Sequence, residues 1–298
     1  MTDTIAVAVF AHNEARNLAA TLDSILAAAS AFPCRIAILA NGCRDDTVAV
    51  ARAIASRHPN IDVVEIALAD KANAWNRYVH EVSATSPFSE AALHVFVDGD
   101  VRVTATSFSA FSSTLRDHPL ANAVGGLPTS GRDRVAWCRR MVANGTLAGG
   151  LYALPRDFVQ RLRLRRIAMP RGLIGEDWAV SLFAQSDLNP LGMAAPGAAK
   201  VVFAQQAGFS FRSLSQWRPR DYRTYLRRLW RYALRGVQYE MLVERLRWQP
   251  PEELPEDVDQ LYAQGTPPSR LKWVGKTSLL RTCAVQKIRL RRATLSQG

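Results

Sequence analysis

The chain has 298 residues, 48% of them apolar, and a formal net charge of +12 from 38 Lys and Arg against 26 Asp and Glu. This length allows one large domain or two modest ones, and no apolar run reaches the roughly eighteen residues that a membrane-spanning helix needs. The positive excess favours an anionic partner: nucleic acid, an acidic membrane surface or a phosphorylated substrate.

The segment "IAVAVFA" (5–11) reads as a buried strand that begins almost at once, with neither a basic leader nor a cleavage site before it. Residues 14–30 follow with helical spacing at Leu18, Leu22, Ile25 and Leu26. Strands are predicted over 35–40, 62–68 and 93–100, and helices over 46–57 and 71–83. Near-continuous apolar strands alternating with helices predict an α/β fold, a mostly parallel sheet with helices on both faces. Beyond this the regularity weakens. Short strands are expected over 122–129 and 149–155, a helix from near Glu176, and a late strand over 199–206. Residues 219–248 are helical and basic, 249–268 form a proline-rich acidic strap, and the last thirty residues read as a basic helix. The division expected is therefore 1–206 as the sheet domain and 207–298 as a basic helical appendage.

In open parallel sheets, ligands lie beyond the carboxyl ends of the strands. Here those ends carry "AHNEARN", "ANGCRDDT", "ADKANAWN" and "VDGD", so polar groups collect at all four. The last is the most informative. Asp98 and Asp100 share one face of a strand, and two like charges there repel. A divalent cation between Asp100 and a diphosphate would relieve that, since magnesium uses one or two carboxylates plus phosphate oxygens. The bland reading is a turn or helix cap, and capping is expected for one of Asp45 and Asp46. Glu176-Asp177 stands at a helix start, where the dipole favours anions. The four cysteines have no metal-ligand spacing, so a reducing cytoplasm fits better than zinc or disulfides. There is no G-x-G-x-x-G after the first strand, no phosphate-binding G-x-x-x-x-G-K-[ST] and no G-x-S-x-G elbow.

The ordered set of Asn13-Glu14, "NGCRDDT", "DKANAWN", Asp98-Gly99-Asp100 and Glu176-Asp177 resembles the inverting family 2 glycosyltransferases of the GT-A fold, over roughly residues 5–206. The resemblance implies that Asn13, Glu14 and Asn41 line a nucleotide pocket, with Lys71 and Asn76 nearby. It implies that Asp98 faces the ribose or base, that Asp100 holds Mg2+ or Mn2+, and that Asp177 is the general base supported by Glu176. "GGLYALPRD" is similar to the segment shaping the sugar and acceptor site, which makes Tyr152 a wall of it. The donor implied is a nucleotide-diphosphate sugar; Asn41 stands where many members have an aspartate facing uracil, and because asparagine both donates and accepts, uridine is the expected base with other bases less firmly excluded. No histidine follows His118 to serve as a late metal ligand, and the Q-x-x-R-W signature of processive synthases is missing, "YLRRLWRY" only echoing it.

Two other readings compete. A nucleotidyltransferase would need a glycine-rich loop where "FAHNEARN" has none. A nucleic-acid-binding protein, on this fold or a degenerate form of it, would suit the clustered arginines. Trp217, Trp230, Trp248 and Trp273 among those arginines suit an anionic bilayer better. The expectation is an enzyme peripheral at the inner face of the membrane, with a lipid-linked or cell-envelope glycan acceptor.

Overall fold

The computed structural model describes residues 4–189, 199–212, 218–265, 267 and 278–295. The first half folds as its sequence pattern dictates. β1 (Ile5–Ala11), β2 (Cys34–Asn41), β3 (Ile61–Ile66) and β4 (Leu93–Asp98) pair in parallel, in the order β3-β2-β1-β4. All seven residues of β1 are buried. Their alternation divides the core: Ile5, Val7 and Val9 pack with Leu18, Leu22 and Ile25 of α1 (Leu18–Ala28), while Ala6, Ala8 and Phe10 pack with Trp75 and Tyr78 of α3 (Lys71–His80). The helix α2 (Thr47–Ala55) joins β2 to β3.

The second half is mixed. β5 (Val101–Val103), α4 (Ser107–Asp117), β6 (Ala123–Pro128), α5 (Arg134–Asn144), β7 (Leu151–Pro155), α6 (Arg156–Leu164), α7 (Glu176–Gln185) and β8 (Val201–Phe211) follow in turn. They continue the sheet as β7-β6-β8-β5, and β7 runs antiparallel to β4. β8 does not stop at Gln206, as the sequence suggested. Gly125 pairs with Phe203 and Leu127 with Gly208, so the exposed Gln205 and Gln206 lie in a bulge, and the strand resumes to meet β5 at Phe211.

α8 (Pro219–Leu246), α9 (Val258–Gln264) and α10 (Ser278–Leu295) bury a separate cluster around Val237, Met241, Leu261, Tyr262, Val285 and Ile288. The acidic strap is more structured than expected: it holds a 3-10 turn over Pro251–Glu253 and then α9, whose N-terminus Asp257 caps through Gln260 N–H at 2.9 Å. It lies along the basic segment before α7, with Glu252 on Arg165 and Glu256 on Arg171. Arg270, Trp217 and Trp273 lie outside the described residues.

Candidate active site

The loops after β1 and β2 are tied to one another. His12 donates from Nδ1 to the Asn41 carbonyl at 2.6 Å, leaving Nε2 to accept from Asn13 at 3.0 Å. Asn13, at φ 58°, accepts the Arg44 N–H through its side chain. Asp45 accepts from Thr47 N–H and hydroxyl and from Ala15 N–H, and Thr47 Oγ1 in turn accepts Glu14 N–H at 2.7 Å. Asp45 thus makes the capping bonds at the start of α2, while Asp46 makes none with its side chain. Asn41 is buried at the end of β2, 4% exposed.

Gly99 explains the spacing of the two acids. Its N–H bonds the Phe10 carbonyl at 2.8 Å, and a Cβ there would stand 2.8 Å from that same oxygen. Only glycine lets the chain pass so close to β1, which leaves Asp98 on the strand end and Asp100 in the turn beyond it. Glu14 reaches the same place. Burial raises its carboxyl above the usual range, and the charges of Asp100 and Asp45 add to that.

Lys71, the first residue of α3, is the centre of the cluster. Asp70 caps this helix through Asn73 N–H and also accepts Gly172 N–H at 2.7 Å, which draws the segment before α7 toward α3. The Lys71 ammonium bridges Asp98 and, at 2.5 Å, Glu176. Burial opposes its charge, but the two carboxylates outweigh that and raise its pKa. Asp98 is pushed up to about 7, chiefly by burial, with Lys71 offsetting part of the effect and Glu176 and Asp100 reinforcing it. A side chain at Gly149 would press on the ion pair: a Cβ would lie 2.9 Å from Lys71 Nζ and 3.2 Å from Glu176 Oε1.

The two adjacent acids at the start of α7 have different surroundings. Glu176 is buried against Lys71, and although burial disfavours its charge, that ion pair brings its pKa below the ordinary value. Asp177 turns the other way, accepting Gly149 N–H at 3.0 Å and its neighbour's Trp178 N–H at 2.8 Å. Burial and then the negative charge of Glu176 raise its pKa.

Lys71, Asp98, Glu176 and Asp177 therefore converge, with Asp100 and Glu14 at the adjoining edge. Asn13 and Asn41 stay at the ends of β1 and β2, Asn13 with its amide committed to His12 and the Arg44 N–H, and two further expected residues turn away from the cluster. Asn76 commits its amide to the Met169 carbonyl and N–H, at 2.8 and 2.9 Å, and so fastens α3 to the chain there. Tyr152 is 1% exposed, stacked on Phe96 and accepting the Trp75 N–H, and it supports the site from beneath instead of lining it. His12, Asp70 and Gly149 were not singled out in the sequence. Gly149 carried a signal in the Gly149-Gly150 pair before a strand; His12 and Asp70 act through contacts that spacing does not encode.

Among the described residues, no group of three or more His, Cys, Asp or Glu could hold a metal ion by itself. The donor set nonetheless fits a hard divalent cation shared with a diphosphate, which takes only one or two protein carboxylates. Asp100, with Glu14 beside it, supplies such oxygens at a strand end that opens from the sheet.

The chain is similar in fold to several solved structures. A mannosyltransferase from Pyrobaculum calidifontis, solved with GDP-Man and Mn2+, aligns over 100% of this chain and 76% of its own at 19% identity, with a TM-score of 0.61. Glucosyl-3-phosphoglycerate synthase from Mycobacterium tuberculosis, with Mn2+, UDP and phosphoglyceric acid, covers 85% of this chain and 80% of its own at 20% identity and a TM-score of 0.53. TarS 1–349 of S. aureus, with UDP-GlcNAc, covers 88% and 71% at 15% identity and a TM-score of 0.54. No curated protein sequence matches significantly. The profile described as "Glycosyltransferase like family 2" matches residues 3–225, three quarters of the chain and every strand of the sheet. The protein therefore belongs to the family 2 glycosyltransferases, and its sheet is a GT-A sheet.

Proposed function

We propose that the protein transfers a sugar from a uridine-diphosphate sugar to an acceptor hydroxyl, inverting the anomeric carbon, with Asp177 as the base. The observation that carries this reading is the different bonding of two neighbouring acids: Glu176 is ion-paired with Lys71 at 2.5 Å, while Asp177 accepts the Gly149 and Trp178 N–H groups. Acid–base roles in an active site follow such differences in surroundings. A raised carboxylate is the better proton acceptor, and each Asp177 oxygen accepts one N–H and keeps a lone pair free. In the displacement the acceptor oxygen bonds to the anomeric carbon, the bond to the diphosphate breaks with its electrons on the leaving oxygen, and the hydroxyl proton passes to Asp177.

Asp100, with Glu14, would hold Mg2+ or Mn2+, which when bound neutralises the departing diphosphate. Asn13 and Asn41 stand where the nucleoside would rest, and Asn41 can both donate to and accept from a base. Asp98 faces the ribose, and Lys71 fixes it against Glu176. The test is turnover by Asp177→Asn and Glu176→Gln with donor affinity measured separately. A positioned base contributes about 10²–10⁴-fold, so Asp177→Asn should lose that much rate with donor affinity kept. Near-normal turnover, or a product that retains configuration, would refute the assignment.

The acceptor is proposed to be lipid-linked or a cell-envelope glycan precursor, met at the inner face of the membrane. No helix among the described residues is long and apolar enough to cross a membrane. The early turns of α8 instead expose Tyr222, Tyr225, Leu226 and Tyr232 among Arg223, Arg227 and Arg231. Aromatic and basic side chains mixed on one helix suit an anionic interface, at about 1 kcal/mol per basic residue. Pelleting with anionic vesicles should be salt-sensitive and should weaken in Arg223→Glu/Arg227→Glu. Equal binding to neutral vesicles, or a preference for mixed-sequence DNA, would refute it.

A further inference from the structure

α8 carries an unusual face. Arg231, Arg235, Gln238 and Leu242 recur at helical spacing and so lie on one side. The lower part of this side is anchored. Leu242 is fully buried in the core cluster that includes Phe96 and Phe183. Gln238, 1% exposed, accepts Ile174 N–H at 2.9 Å and donates to the Gly172 carbonyl and the Tyr262 hydroxyl. One turn up, Arg235 lies against Gly175, the residue before Glu176: a Cβ on Gly175 would meet Arg235 Cδ at 2.4 Å and stand 3.5 Å from Nε. The face that clamps the loop before the two acids thus continues as two guanidinium groups beside them.

Among the described residues, neither guanidinium has a carboxylate partner within 4 Å. Arg235 stacks on Tyr232, and Arg231 is exposed. Their charges do reach the acids, Arg231 favouring ionised Glu176 and Arg235 ionised Asp177. Yet Glu176 is ion-paired with Lys71, and Asp177 is held by backbone N–H groups. Arg235, held against the loop that enters the acid pair, and Arg231, exposed one turn beyond it on the same helix face, are placed to receive an anion from solution. Guanidinium matches phosphate oxygens with parallel N–H bonds. The donor's diphosphate belongs with Asp100 at the end of β4. The acceptor must approach from the Asp177 side, because its hydroxyl has to touch the base.

We propose that Arg231 and Arg235 bind a phosphate group carried by the acceptor. This rests on the glycosyl-transfer reading above. The phosphate could belong to a lipid or to a soluble metabolite, and the experiment separates the two. Binding to the full-length protein is measured by calorimetry for geranyl phosphate, geraniol and glycerol 3-phosphate, and for UDP with Mn2+. Geranyl phosphate should bind more tightly than geraniol. Each of Arg231→Gln and Arg235→Gln should weaken phosphate binding about tenfold, as expected for loss of one charge-assisted pair, and Arg235→Lys should recover part of it. UDP affinity should stay within about twofold of wild type. Glycerol 3-phosphate binding as tightly as geranyl phosphate would identify a soluble acceptor; a clear preference for the prenyl chain would identify a lipid. Phosphate binding that survives both substitutions overturns the proposal. So does a loss of UDP affinity equal to that for phosphate, which would assign the arginines to the donor. A wild-type protein that binds the phosphates but no nucleotide would instead sink the transfer reading and leave the phosphate site standing.

Discussion

The two sides of the site are built by different means. On the β1–β4 side, functional groups hang from the ends of parallel strands buried on both faces, and hydrogen bonds such as His12 to Asn41 and Glu14 to Thr47 fasten the loops at those ends to each other. On the other side, Glu176 and Asp177 begin a helix whose preceding loop is held from outside, by Asp70 at Gly172 and by Gln238 at Gly172 and Ile174. The first side should be rigid by construction. The second is only as well placed as the contacts brought to it by α3 and α8. The family 2 profile matches up to residue 225, early in α8, so the part of α8 that holds the loop before the acids lies beyond it.

Lys71 joins the two sides, and removing it is the sharpest way to break the comparison. Lys71→Met would leave Asp98 and Glu176 facing one another without a cation. Breaking a buried ion pair by deleting one partner costs about 3–5 kcal/mol. The three side chains are 26%, 32% and 9% exposed, so the lower end, about 3 kcal/mol, is expected. Asp98 can escape part of this by taking up a proton, being already at about 7. The loss measured by denaturant unfolding should therefore be larger at pH 8 than at pH 5.5. An unchanged midpoint at pH 8 would mean that the lysine is not what holds the sides together.

The two sides were unequally legible in the sequence. β1 to β4 announce themselves because strands covered on both faces are apolar throughout, and strand ends then mark where a ligand lies. The Asp98-Gly99-Asp100 and Glu176-Asp177 pairs are visible as paired acids at a strand end and a helix start. Their tuning is not, because it depends on Lys71, a residue remote in sequence from Glu176 that reads locally as an ordinary helix start. Asn76 and Tyr152 sit in segments similar to the family's but turn toward backbone and core, and a one-dimensional pattern does not encode direction. β8 was cut short because Gln205 and Gln206 look like a strand's end; a bulge exposes them without ending the pairing. α4, with its serines and aromatics, carried too weak a helical period to be named.

Gln238→Leu tests the outside support. The substitution is close to isosteric, but it strips the Ile174 N–H of its acceptor and the Tyr262 hydroxyl of a partner. A buried donor left unpaired costs about 1–3 kcal/mol. The more telling readout is kinetic: kcat should fall while donor affinity, set on the β1–β4 side, holds. Gln238→Glu retains the acceptor for Ile174 and should retain more of kcat than Leu. If Leu and Glu lose kcat and donor affinity in the same proportion, α8 is not a specific support for the acids.

The smallest effect sharpens the claim that the β1–β4 side is sealed. His94 lies within β4, 2% exposed, and its Nδ1 shares a hydrogen bond with the Tyr78 hydroxyl at 2.9 Å. Burial, with Arg163 and Arg156 adding, lowers its pKa from 6.5 to about 3. Unfolding restores the ordinary value, so below pH 6.5 the unfolded chain takes up a proton that the folded one refuses. This contribution is complete above 6.5 and is lost as pH falls toward 3. At about 1.4 kcal/mol per pH unit below the unfolded value, moving from pH 7.5 to 5.5 should cost about 1.4 kcal/mol. His94→Gln keeps an acceptor for Tyr78 but does not titrate, so its unfolding free energy should lack this part of the slope. Identical slopes for the two proteins would mean that water reaches the middle of β4, and the side taken here as rigid would be no better enclosed than the one that carries the acids.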